Sequence, residues 1–208
     1  MNFFGHAVVA QRVDDDPDFL LGAMAPDLLS MCGAIAGAET SPQVAAGEAH
    51  HLAVDRLFHG SPAFAALQAW AARALIERGL PRGGARGAAH VGIELFLDGE
   101  LAGQSPARDA YARSLANAET TRAPFVWRDE PSRLRWRSLV VRLRAGTIPE
   151  AYRDPDFVAA RLVGALAWRP RLALTERDAT ILRAFLPALQ ARVAAEAHAL
   201  TTLLPGEM

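Results

Sequence analysis

The chain has 208 residues, of which 51 % are hydrophobic and 22 % charged, with a formal net charge of -1. These values suit one globular domain over residues 1–208 and exclude a disordered chain, and a charge so near zero gives no global field towards nucleic acid or a membrane surface. Lysine is absent, which excludes Schiff-base chemistry on a side-chain amine and a Walker-type phosphate lysine.

The opening apolar residues, Phe3 to Ala10, have no basic leader and soon meet Asp14, Asp15 and Asp16, so they make a poor signal peptide. No apolar run reaches membrane-spanning length, and the lone Cys32 suits a reducing compartment. A cytoplasmic protein is expected. Residues 3–13 form a short helix in this reading. Asp18 caps a second helix running to about Met31, and Gly33 to Thr40 is a loop. Ser41 and Pro42 start a third helix, and Ser61 and Pro62 a fourth. The run Gly79 to Gly87 is rich in glycine and reads as a loop, with His90 opening the next helix. Ser105 and Pro106 begin another, and Arg122 to Pro131 is a connection. Residues 133–144 place Trp136, Leu139, Val140 and Leu143 on one face and arginines on the rest. Asp154 with Pro155, and the capping box Thr175 to Asp178, start the last two helices. No stretch alternates like a strand, so the expected class is all-α, a helical bundle.

The third helix carries the most distinctive chemistry. His51, Asp55 and His59 recur every four residues and share one helical face. Leu52, Val54, Leu57 and Phe58 lie between them and are apolar enough to bury the helix. His90, Glu94 and Asp98 repeat the spacing. A histidine and a carboxylate one turn apart can reach a common point above the helix, a favoured way to chelate Zn, Mn or Fe. Five of the six histidines fall within the first 90 residues. His6 and Asp27 sit in apolar stretches where an unpartnered polar group is costly, so they join the candidate metal ligands His51, Asp55, His59, His90 and Glu94. A core imidazole held by a nearby carboxylate is the simpler account of any one pair. Asp98, next to Gly99, is expected to face solvent. His50 projects about 100° away from His51 and is a candidate to orient substrate or donate a proton.

Three stretches carry a family resemblance: Met1 to His6, Gly22 with Asp27 five residues later, and His51 to Asp55. Together they resemble the acyl carrier protein phosphodiesterase family, helical relatives of the HD-domain phosphohydrolases, over roughly the first hundred residues. Leu52 stands where the family has arginine, while His59 and His90 stand where it has aspartate. The order His6, Asp27, His51, Asp55, His59, His90, Glu94 is also similar to the ligand order of zinc-dependent phospholipase C and its nuclease relatives. Both resemblances imply a helical phosphoester hydrolase with two or three divalent ions, and the first implies an acyl carrier protein as a partner. The expected mechanism pairs cations about 3.5 to 4 Å apart, bridged by Asp55, with His6, Asp27 and His51 on one ion and His59, His90 and Glu94 on another. His50 and Asp55 are the catalytic candidates. Two other readings are open. One is a helical protein that binds metal without catalysis. The other is a binding module in which Arg133, Arg137 and Arg144 dock an acidic partner.

Overall fold

The computed structural model describes residues 1–39, 41–103, 105–120 and 124–202. Thr40 and Arg122, at the ends of the expected loops, lie outside the described residues, as does the capping side chain of Ser105. The fold is all-α: α1 (Phe3–Gln11), α2 (Pro17–Cys32), α3 (Pro42–Gly60), α4 (Pro62–Glu77), α5 (Arg82–Leu101), α6 (Ser105–Thr120), α7 (Glu130–Ala145), α8 (Pro155–Ala167) and α9 (Glu176–Thr201), with a 3₁₀ turn at Glu150–Arg153. The chain divides into two compact units, residues 1–57 with 101–148 and residues 58–100 with 149–202.

In the first unit α1 is buried on every side, from Phe3 to Ala10, as expected of a helix with no polar stripe. Phe3 stacks on Tyr111 of α6 and Phe4 meets the same ring edge-on. The cap of α2 is Asp16, whose side chain accepts from the amides of Asp18 and Phe19, with Pro17 at the first helical position. Asp18, the expected cap, instead accepts from Ser41 Oγ at 3.1 Å and Asn117 Nδ2 at 2.6 Å, tying α2 to the start of α3 and to α6. Gly33 closes α2 at φ 62°, the left-handed conformation that glycine adopts without strain.

Two short strands correct the strand-free expectation. β1 (Ala36–Glu39) pairs antiparallel with β2 (Phe125–Trp127), Ala36 opposite Trp127 and Glu39 opposite Phe125. β1 is mostly exposed and made of small residues, so nothing in its own sequence favours a strand. The pairing is held by tertiary packing, with Phe125 and Trp127 both against Trp136 of α7.

The second unit corrects the glycine-rich loop. Arg82 to Gly87 is the first turn and a half of α5, and His90 lies well inside that helix. A Cβ at Gly83 would stand 2.4 Å from the Arg171 carbonyl oxygen, and one at Gly84 2.8 Å from a Leu174 methyl. The glycines therefore admit close backbone approach by residues 171–174 rather than break the helix. The Thr175 capping box forms as the spacing implies, and Ser61 accepts from the Phe64 amide to start α4. Among the described residues no helix is long and apolar enough to cross a membrane.

Candidate metal centres

The first group of potential ligands is built where α2 meets α3. Ser41 Oγ accepts from the Val44 amide and starts α3, and Gly22 and Gly47 then let the two backbones touch. A Cβ on Gly22 would lie 2.1 Å from the Val44 carbonyl oxygen, and one on Gly47 2.1 Å from that of Phe19. This contact brings His51 Nδ1 within 2.9 Å of the Ala23 carbonyl oxygen. A carbonyl only accepts, so Nδ1 carries a proton, and Nε2 is the nitrogen left for a ligand role. His6, fully buried on α1, donates from Nε2 to Asp55 Oδ1 at 3.1 Å, while its Nδ1 is buried without a hydrogen-bond partner. The two rings stack with centroids 3.8 Å apart. His6, Asp27 and His51 each offer a ligand atom, all within 4.8 Å of one another.

Asp55 sits beside this group. Its Oδ1 also accepts from the Met1 amino group at 2.8 Å, and its Oδ2 is 3.7 Å from His51 Nε2. Burial would raise its carboxyl, but the His6 hydrogen bond and the Met1 ammonium outweigh that and hold it far below the usual range. Burial is also the main reason that His6 falls to about 4, so its ring is neutral near pH 7. In the folded metal-free protein His6 refuses a proton that the unfolded chain accepts below about 6.5. Its contribution to stability is complete above that pH and is lost as the pH falls towards 4, by about 3 kcal/mol. Asp55, also depressed, adds a loss at still lower pH. Urea unfolding of metal-free protein at pH 7 and pH 4.5 checks this, and equal midpoints would remove the buried neutral imidazole.

The second group lies in the second unit. His59 Nε2 donates to Glu94 Oε1 at 2.9 Å, and His90 Nε2 is 3.2 Å from the same oxygen. The two imidazoles stack at 4.9 Å, with the Phe64 edge against both. Burial would raise Glu94, but its contacts with His59 and His90 keep the carboxyl well below the ordinary range. His59, His90 and Glu94 have ligand atoms within 4.8 Å of one another. Gln68 Nε2 donates to His90 Nδ1 at 3.1 Å. Rotating that amide would present its oxygen to Nδ1 instead, leaving His90 Nε2 as the lone pair.

Six expected ligands thus fall into two groups of three, with Asp55 against the first. No motif pointed to the Ala23 carbonyl, the Met1 amino group or Gln68; the first two are backbone groups, and Gln68 is 22 residues from His90. Two expectations are corrected. Asp98 is fully buried rather than solvent-facing, although Gly99 follows it. The cause is close packing: a Cβ on Gly99 would stand 2.8 Å from the Tyr152 carbonyl carbon, and Arg153 Nε donates to the Gly99 oxygen. Leu52 and Leu57 are 63 % and 46 % exposed, so of the four apolar residues among the histidines only Val54 and Phe58 are buried. His50 packs against Phe19, with Nε2 buried and without a partner, and burial, then His51, lowers its pKa. On α7, Arg133 pairs with Glu130 at the surface, and the buried face is Trp136, Leu139, Val140 and Leu143 as the periodicity implies.

No protein-family model, no curated protein and no solved structure matches the chain.

Proposed function

We propose that the chain is a metal-dependent phosphoester hydrolase, with divalent cations held by His6, Asp27 and His51 and by His59, His90 and Glu94. The observation that carries this reading is the pair of three-residue groups, each with its ligand atoms within 4.8 Å. In the first, the Ala23 carbonyl holds the His51 proton on Nδ1 and Asp55 holds that of His6 on Nε2, leaving His6 Nδ1 as an unprotonated nitrogen. With Asp55 engaged by His6 and the Met1 amino group, three protein ligands would leave a tetrahedral cation one open position, as a catalytic site needs. The likeness of the ligand order to zinc-dependent phospholipase C points the same way. Zn, Mn and Fe all suit mixed imidazole and carboxylate donors.

A bound cation would polarise the phosphoryl oxygens and supply hydroxide near neutral pH. The protein's part is orientation. Ala23 fixes the His51 tautomer, Asp55 that of His6, and Phe58 and Phe64 pack edge-on against the His59 ring. His50, its pKa lowered by burial and by His51, serves as a neutral hydrogen-bonding group towards substrate, since its ring holds no extra proton to give at neutral pH. A phosphoester is the substrate class, and the phosphopantetheinyl arm of an acyl carrier protein is one member of it.

Metal analysis joined to an assay tests the reading. The purified protein is expected to carry a transition metal, to lose both metal and hydrolysis of bis-p-nitrophenyl phosphate on chelation, and to regain both with Zn or Mn. A metal-loaded protein inactive across a broad phosphoester panel would leave a non-catalytic metal-binding protein.

A further inference from the structure

A groove of about 460 Å³ runs between α4 and α5 in the second unit. Its floor is apolar, formed by Ala65, Ala69 and Ala72, and two guanidiniums, Arg73 and Arg86, line it with the single carboxylate of Glu77. No hydrogen bond or ion pair among the described residues occupies either arginine, whereas Arg78, five residues after Arg73, donates to the Ala74 carbonyl. Gln68, which donates to His90 Nδ1, is also part of the wall. The groove therefore shares one wall residue, Gln68, with the surroundings of the His59, His90 and Glu94 group.

Helical spacing sets a distance. Arg86, His90 and Glu94 recur every four residues on α5 and share a face, so Arg86 stands one turn before His90 and two before Glu94, about 6 to 12 Å along the axis. Unpaired guanidiniums bind carboxylate or phosphate oxygens in a fork geometry. We infer that this groove is a specificity subsite: it selects phosphoesters carrying a second anionic group about 6 to 12 Å from phosphorus, held by Arg86 and Arg73, with a short apolar spacer over the alanines. The inference rests on the hydrolase reading, since it takes the His59, His90 and Glu94 group as the place of the phosphoryl group.

Phenyl phosphate and 4-carboxyphenyl phosphate, which differ only in a distal carboxylate, are the probes. Calorimetry on the metal-loaded full chain is expected to show the carboxylated ligand binding about tenfold more tightly. The ratio should fall to near one in Arg86→Gln with Arg73→Gln, in protein that keeps its metal and helical circular dichroism. Equal affinities in the wild type, a preference that survives both substitutions, or no binding of either ligand would overturn the subsite. A preference that depends on the arginines, found in protein that turns over no p-nitrophenyl diester, would support the subsite while refuting hydrolysis.

Discussion

Asp55→Asn is expected to lower hydrolysis of bis-p-nitrophenyl phosphate at least about a hundredfold, or roughly 2.7 kcal/mol of barrier, in a protein that remains folded. Asp55 Oδ1 accepts from His6 Nε2 and from the Met1 amino group, and Oδ2 lies near His51 Nε2. The substitution keeps the shape and removes the charge. It also removes the certainty of the His6 tautomer, because an amide can turn its NH₂ towards Nε2 and shift the ring proton to Nδ1, closing the lone pair left for a cation. Metal content should fall together with activity. Asp98→Asn is the contrast: Asp98 is fully buried and belongs to neither ligand group, so its loss should appear in unfolding measurements while the metal stays. Wild-type activity in Asp55→Asn would remove that carboxylate from the chemistry.

Gly47→Ala should damage the fold severely. The added Cβ would stand 2.1 Å from the Phe19 carbonyl oxygen and 2.7 Å from the Ala23 amide nitrogen. Both are backbone atoms inside α2 and cannot swing aside, so α2 and α3 must separate. A cost of at least about 3 kcal/mol follows, at the upper end for overpacking. Separation would also carry the Ala23 carbonyl away from His51 Nδ1, so the first group should lose metal even at temperatures where the variant is still folded. Gly164→Ala on α8 makes the control: nothing lies within 4 Å of its added Cβ, and replacing an interior helical glycine should stabilise by about 0.5 to 1 kcal/mol. Thermal melts of the two variants beside the wild type decide the matter. A Gly47→Ala protein that melts with the wild type would mean that the helices do not approach through their glycines.

The helical class was legible because local signals agreed with one another. Ser61 with Pro62 and Thr175 with Asp178 are caps that act within a few residues, and the structure forms both. Histidine and carboxylate spacing worked for a similar reason: four residues is one helical turn wherever the helix goes. What failed to show depended on distant partners. The strand Ala36–Glu39 exists only because Phe125–Trp127 reaches it, and Arg82 to Gly87 is helical because residues 171–174 need the room that glycine leaves. Asp98 misled because its neighbour Gly99 reads as a helix end in sequence, while in space it is the point where Tyr152 and Arg153 press on α5. Leu52 and Leu57 misled through composition, since an apolar residue on the outer arc of a helix is common and needs no partner.

The orientation of the first group also sets its proton inventory. His6 is neutral well below pH 7, Asp55 is ionised, and the Nδ1 proton of His51 points to the Ala23 carbonyl, away from the site. A cation entering there would meet, on His6, a nitrogen that need not first be stripped of hydrogen, unlike the thiols and imidazolium ions that release protons when many metal sites load. Its imidazole would then release no acid on loading at neutral pH, and that share of the heat would not change with the ionisation of the buffer around the protein.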